Sequence, residues 1–231
     1  MKKGKKIILF LVEGASDCTS LEFIEHLSNN EKIKFQITEG DITSRKGVNL
    51  QNCIVKVNNH VMDFIKRNKL KKTDIFQIIH VLDIDGVYIP DANITEDRKV
   101  KKYLYSTKGI TYYSKNIVQT RNKSKRGVLE KLLSTSSINS IPYRLYYMSC
   151  NLEHVLHNRL EDIKEEEKNE LANQFADKFY EKEIEFIKFI NDPIFKVPGN
   201  YNSTWEFIKK GLNSVNRYSN LWLFFEGIYE Q

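Results

Sequence analysis

The chain has 231 residues, 41% hydrophobic, 12% aromatic and 29% charged, with a formal net charge of +6. These proportions exclude a disordered tail, and the length suits one large domain or a core domain with an appendage. No apolar run approaches the roughly 20 residues that span a bilayer. Cys18, Cys53 and Cys150 supply neither a disulfide framework nor a zinc spacing, so a cytoplasmic chain without membrane attachment is expected.

The basic start Met1–Lys6 leads into Ile7–Val12, an apolar run too short for a signal peptide and of the right length for a first strand. That strand ends at Glu13-Gly14. Ser16 or Asp17 is expected to cap a helix whose apolar positions Leu21, Ile24 and Leu27 recur at spacing three. Residues 34–38 alternate as a second strand, ending at Glu39-Gly40-Asp41. Residues 50–68 read as a helix with Ile54, Val57, Val61, Phe64 and Ile65 on one side. Residues 76–82 form another apolar strand, closed by Asp83-Ile84-Asp85-Gly86. Apolar strands alternating with amphipathic helices predict a parallel sheet covered on both faces.

The segment 98–131 reads as part loop and part strand. Residues 143–149 follow as a strand and 152–160 as a helix. A long charged helix is expected over 161–190, striped by Phe175, Phe179, Phe186 and Ile190, before Pro193 and Pro198-Gly199 break it. A last aromatic helix begins near Ser203-Thr204-Trp205. Its Trp205, Phe207, Trp222, Phe224 and Phe225 read as core or as a homo-oligomeric contact. A soft boundary near 160 separates a core, 1–160, from a helical C-terminal region, 161–231.

Charge divides the same way. Residues 1–150 hold 26 basic and 15 acidic side chains, whereas 151–231 hold 10 and 15. Within 98–131 eleven basic residues face one acid, Glu130, and Tyr103, Tyr105, Tyr112 and Tyr113 interleave with them. Cations beside flat aromatic faces suit a phosphate backbone with stackable bases, and Arg121, Lys123, Lys125 and Arg126 are the densest group. The alternative is a set of lysines spread over solvated faces.

Glu13, Asp83 and Asp85 each follow an apolar strand, and in open parallel sheets ligands bind beyond the carboxyl ends of the strands. Carboxylates about 4 Å apart repel by roughly 4 kcal/mol at an effective dielectric near 20, so such a cluster is partly protonated or built around a cation. Oxygen-only donors suit Mg²⁺ or Mn²⁺. The alternative for each acid is a cap on the next helix or turn.

The run Ile8 to Asp17, a strand ending in Glu13-Gly14 before a helix, resembles the first motif of the TOPRIM domain, and Val81-Leu82-Asp83-Ile84-Asp85-Gly86 resembles its Asp-x-Asp motif about 70 residues on. Asp17 is similar to the acid of small versions found in OLD (overcoming lysogenization defect) nucleases. Residues 149–157 resemble, without the Pro and Trp, the segment of small RloB-like TOPRIM proteins in which a strand leads into a helix bearing a Glu, here Glu153.

The resemblance implies an α/β, Rossmann-like, mostly parallel sheet flanked by helices, with a helical C-terminal addition. It further implies Mg²⁺-dependent phosphodiester chemistry. Asp83 and Asp85 would hold metal, with Glu13 and Asp17 as further ligands. Glu13 would also serve as proton shuttle, and Glu153 would complete a second metal position. The chain is too short for a topoisomerase and lacks the zinc module of a primase, which leaves a nuclease acting on DNA, tRNA or another RNA, in antiviral defence by abortive infection. It carries no Gly-rich Lys-Ser/Thr loop, so a controlling ABC- or SMC-type ATPase would be a separate partner. Low basal activity is expected of a nuclease held under such control.

Other readings stand beside this one. A TOPRIM-like protein that binds or regulates without turnover needs the same residues. Asp83-Ile84-Asp85-Gly86-Val87 also matches the opening motif of haloacid-dehalogenase-type phosphatases, although about 80 residues precede it here. Asp41 would lie beside the site. His154 and His157 read as a zinc pair or as ordinary histidines. Lys209, Lys210 and Arg217 read as surface cations or as phosphate contacts.

Overall fold

The computed structural model describes residues 6–26, 32–161 and 163–229. The expectations placed on Met1–Lys5 and Leu27 lie outside them. Ile7–Val12 forms β1, buried along its whole length as a central strand must be. Helix α1 (Ala15–Leu21) tightens into a 3₁₀ turn at Glu22–His26. Strand β2 (Lys32–Ile37) lies parallel to β1, from Ile7 opposite Lys32 to Val12 opposite Ile37. Helix α2 (Cys53–Arg67) buries Cys53, Val57, Val61, Phe64 and Ile65. It starts three residues later than its apolar pattern suggests, because the Asn49 side chain accepts from the Gln51 N–H at 2.9 Å and holds a turn there. Strand β3 (Ile75–Asp83) returns parallel to β1, with Leu11 opposite His80.

The basic stretch departs from expectation. Short strands β4 (Ile94–Glu96), β5 (Leu104–Ser106) and β6 (Gly109–Tyr112) form a small sheet of order β4-β6-β5, after which residues 115–133 are helical throughout as α3 (Lys115–Leu133). Its inward residues Val118, Asn122, Lys125, Leu129 and Leu132 recur at spacings of three and four, a period obscured in the sequence because two of them are polar. Strands β7 (Ser137–Ile138) and β8 (Ile141–Met148) form a hairpin that completes a five-stranded sheet of order β2-β1-β3-β8-β7.

Helix α4 (Leu152–His157) stops where Asn158 turns left-handed, at φ 56°. The long charged helix expected over 161–190 is two helices, α5 (Glu165–Phe179) and α6 (Glu183–Ile190), because Glu181 at φ 54° ends the first in a left-handed cap. Helices α7 (Tyr201–Ile208) and α8 (Trp222–Tyr229) follow. The protein is α/β, with a mixed, mostly parallel sheet flanked by helices. Among the described residues no helix is long and apolar enough to cross a membrane.

The chain forms two compact units, each drawn from three segments: Met1–Val81, Val128–Tyr146 and Glu166–Glu185 in one; Leu82–Gly127, Tyr147–Glu165 and Phe186–Gln231 in the other. Residue 160 falls inside a segment of the second. The first unit packs α5 on the 3₁₀ turn through Phe23, Phe175 and Phe179, with Phe23 and Phe179 stacked at 6.0 Å. In the second, Ile89, Ile94, Ile110, Val118 and Val215 make one core. Tyr147 meets Trp205 edge-on at 5.0 Å, and Phe186 meets Phe225 at 5.1 Å. Trp205, Trp222, Phe224 and Phe225 are all buried, so intramolecular packing accounts for the aromatic tail.

His80, midway along β3, is fully buried, and its Nδ1 lies 2.8 Å from the Tyr143 hydroxyl. Burial pulls its pKa down to about 4. The unfolded chain takes up a proton as pH falls through 6.5 and the fold does not until about 4, so stability is complete above 6.5 and declines between those values. At 1.36 kcal/mol per unit, His80 alone costs about 3 kcal/mol across that window. Urea unfolding of the wild type and of the His80→Phe/Tyr143→Phe pair, which leaves no orphaned hydroxyl, measures this; the pair should show a flatter acid limb.

Candidate functional site

The acids nominated by the sequence fall into both units. Glu13, Asp17 and Asp41 belong to the first; Asp83, Asp85 and Glu153 belong to the second. Glu13 leaves the carboxyl end of β1 half-buried, and its carbonyl accepts the Gly40 N–H at 2.7 Å. Gly14 is the N-cap of α1, and Asp17, three residues in, accepts the Gly14 N–H at 2.9 Å. This carboxylate thus caps the helix from inside its first turn, where negative charge also meets the helix dipole favourably. Asp41 plays a comparable local part, accepting the Thr43 N–H at 2.7 Å and the Thr43 and Ser44 hydroxyls.

The second unit gathers the densest chemistry, around Asp85. Beyond the ends of β3 and β8 the chain turns through two non-glycine residues at positive φ, Asp85 at 52° and Cys150 at 57°. The Asp85 N–H donates to the Cys150 carbonyl at 2.8 Å, the Ile84 N–H to the Met148 carbonyl at 3.0 Å, and the Gly86 and Cys150 N–H groups both to Ser214 O at 3.1 Å. Left-handed geometry costs a side-chain-bearing residue of order 1–3 kcal/mol and persists where surrounding bonds over-determine it, as these do.

Lys125 Nζ donates to Asp85 Oδ2 at 2.7 Å. The lysine side chain is 0% exposed and that of Asp85 24%. Arg121, one turn earlier on α3, donates from Nη2 to the Asp85 carbonyl at 2.7 Å and from Nη1 to the Tyr105 hydroxyl at 2.8 Å. That hydroxyl lies 3.4 Å from Asp85 Oδ1. Burial, then the Asp85 charge, pushes the Tyr105 phenol far above its usual range, so it stays protonated. Burial also raises the Cys150 thiol, followed by the charges of Asp85 and Asp83, which keeps Cys150 a thiol and marks both acids as its neighbours.

The four cations expected on a nucleic-acid surface therefore separate. Lys125 is buried and pairs with Asp85, and Arg121 is locked into the same cluster. Lys123 is exposed, while Arg126 is half-buried and turns back to the Asn122 carbonyl at 3.3 Å. Lys125 is not a surface phosphate contact, because the turn of the helix carries it inward. Ser214 has no sequence signal, while Tyr105 and Cys150 carry one only as an interleaved tyrosine and as part of the 149–157 segment, not as partners of Asp85; the inward period of α3 is the signal available for Lys125.

Glu153, in the first turn of α4, is 6% exposed, and Asn151 caps that helix by accepting the His154 N–H at 2.8 Å. Burial, then the Arg217 charge, lowers the His154 pKa to about 4, so at neutral pH it is an uncharged core histidine. His157 is half-buried one turn on. Arg217 donates from Nε to the Val155 carbonyl at 2.8 Å and lies over the Phe195 ring at 5.2 Å, which makes it a packing residue.

Gly86 completes the turn at φ 64°, and a Cβ there would meet Val215 Cγ1 at 2.5 Å and Ile110 Cδ1 at 3.0 Å, both core atoms. Gly86→Ala combines left-handed strain with overpacking and is expected to cost about 2–4 kcal/mol, read as a lower urea midpoint.

Among the described residues no group of three or more His, Cys, Asp or Glu side chains stands close enough to hold a metal alone. Mg²⁺ does not require one: it takes one or two carboxylates and completes its shell with water and substrate phosphates. Asp83 and Asp85 fit in donor type and number, with Lys125 sharing one oxygen of Asp85. Comparison of the chain with family models, curated proteins and solved structures finds no match.

Proposed function

We propose that this chain is a Mg²⁺- or Mn²⁺-dependent nuclease with a TOPRIM-like core, cutting phosphodiester bonds in DNA or RNA as an effector of antiviral defence under a partner's control. The observation that carries the reading is the strained, tightly bonded Asp85–Cys150 turn with Lys125 and Arg121 directed onto it. Backbone strain and buried charge of this kind concentrate at functional sites. The parallel β2-β1-β3 order, with Glu13-Gly14 after β1 and Asp83 at the end of β3, supports the fold assignment.

In this reading Asp83 and Asp85 hold the metal, which would stabilise charge on the attacking and leaving oxygens. Arg121 and Lys125 hold Asp85 in place and offset negative charge around it. Tyr105, kept protonated, orients the guanidinium. Glu153 is the reserve carboxylate; Glu13, which belongs to the first unit, enters the reading through its motif alone.

The test is cleavage of labelled DNA and RNA with Mg²⁺ or Mn²⁺ against EDTA, for wild type, Glu13→Gln and Asp83→Asn. Cleavage unaffected by both substitutions, or surviving EDTA, would overturn the reading. A second reading has its own support: Lys125 already neutralises Asp85, so the cluster also suits a chain that binds nucleic acid without turnover. Binding without cleavage under either metal would favour it.

A further inference from the structure

Beside the Asp85 cluster, in the same unit, aromatic rings form a continuous ladder. The Arg121 guanidinium lies over the Tyr103 ring at 4.5 Å, Tyr103 stacks on Tyr112 with centroids 4.2 Å apart and planes 17° apart, and Tyr112 meets Tyr113 at 4.6 Å and 56°. One end is anchored, since Arg121 also bonds the Asp85 carbonyl and the Tyr105 hydroxyl. The other end is open: Tyr113 is 40% exposed, whereas Tyr103, Tyr105 and Tyr112 are partly buried against the core of this unit.

The ladder thus finishes on an exposed ring, and the charge near it is mixed: Glu96, opposite Tyr112 in the small sheet, accepts the Lys115 N–H at 3.1 Å, and the Asp97 N–H donates to the Tyr112 carbonyl at 2.9 Å. Lysines are nonetheless the denser exposed charge of the following stretch: Lys99, Lys101, Lys108 and Lys123 are exposed, and after the exposed Asp91, Glu96 and Asp97 no acidic residue occurs between Arg98 and Leu129. Arg98 is compensated in part by Glu96, 3.9 Å away, and is left out of that set.

We propose that Tyr113 is a stacking plate for an unpaired base, so that the substrate held at this site is single-stranded nucleic acid. A duplex already stacks its bases on one another and presents only their edges, whereas a single strand offers a free base face to continue the ladder. The exposed lysines supply phosphate attraction, which draws any nucleic acid; Tyr113 supplies the preference for an unpaired one. Because the ladder is bonded through Arg121 to Asp85, a base stacked on Tyr113 fixes the strand relative to the carboxylates.

This inference rests on the nucleic-acid reading above but is tested apart from cleavage. Fluorescence anisotropy in EDTA measures binding of labelled single-stranded DNA, single-stranded RNA and the matching duplex, each of roughly 12 nucleotides. Wild type, Tyr113→Ala and Tyr113→Phe are compared.

The expected result is tighter binding of a single strand than of the duplex, a loss of about tenfold for that strand in Tyr113→Ala, near-wild-type binding in Tyr113→Phe, and unchanged duplex binding in both. The preferred sugar, DNA or RNA, is read from the same titrations, and the proposal holds for either. Unchanged single-strand affinity in Tyr113→Ala, an equal loss for duplex and single strand, or a wild type that prefers duplex overturns it. A Tyr113-dependent single-strand binder that never cleaves would overturn the nuclease reading alone; a nuclease indifferent to Tyr113 would overturn this inference alone.

Discussion

Lys125→Met is expected to destabilise the second unit by about 3 kcal/mol, because it leaves the Asp85 carboxylate without its ammonium partner in a largely enclosed setting. The figure sits at the low end for a broken buried pair, since Asp85 keeps part of its side chain in water. Methionine fills the volume of the lysine stem, so the loss reports charge rather than a cavity. Asp85→Asn in the same background removes the stranded charge and should recover part of the loss. Urea unfolding of the two single variants and the double variant gives the coupling. A double variant equal to the sum of the singles within about 0.5 kcal/mol would show that the two side chains do not act as a pair.

On the nuclease function proposed, Asp83→Asn is expected to slow Mg²⁺-dependent cleavage by about 10²- to 10⁴-fold while preserving the shape of the side chain. Asp83 ends β3 half-buried, at the carboxyl end of a strand, the end at which open parallel sheets bind ligands. Glu13→Gln should fall in the same range if Glu13 carries a proton in the reaction, and the two differ in their response to metal. A weakened ligand raises the Mg²⁺ concentration needed for half-maximal cleavage, whereas a lost proton carrier lowers the rate at saturating metal and changes its pH profile. Equal metal dependence in Asp83→Asn and wild type would remove Asp83 from the ligand set.

The strands were the most legible part of the molecule. Ile7–Val12 is uninterrupted, and the run ending at Asp83 carries only Gln77 and His80 as polar residues, because a strand buried on both faces has little polar side to show. Helix α2 was legible because its buried residues alone carry the period of an amphipathic helix. The basic stretch reads as loop and strand because charge masks its period: Asn122 and Lys125 occupy inward positions that amphipathic helices usually fill with apolar side chains. A buried lysine is tolerated only opposite a fixed carboxylate, and Asp85 lies 40 residues away in sequence, beyond any local pattern. Asp17 shows the opposite case, where an acid matched to a metal motif is engaged at 2.9 Å in capping its own helix.

The net charge of +6 is a total, and the sequence by itself determines a basic strip after an Asp-x-Asp, strands alternating with helices, and acids placed after apolar strands. These are local properties, set by side-chain polarity and spacing. Tertiary structure alone decided which cations of the strip face solvent and which neutralise Asp85, that Cys150 and Asp85 share a strained turn, and that Tyr103, Tyr112 and Tyr113 join one ladder with Arg121. The reason is physical: a charge or ring is assigned its role by the partner that desolvates and pairs it. Here Lys125, Arg121 and Tyr105 meet Asp85 only because α3, β5 and the end of β3 fold onto one core.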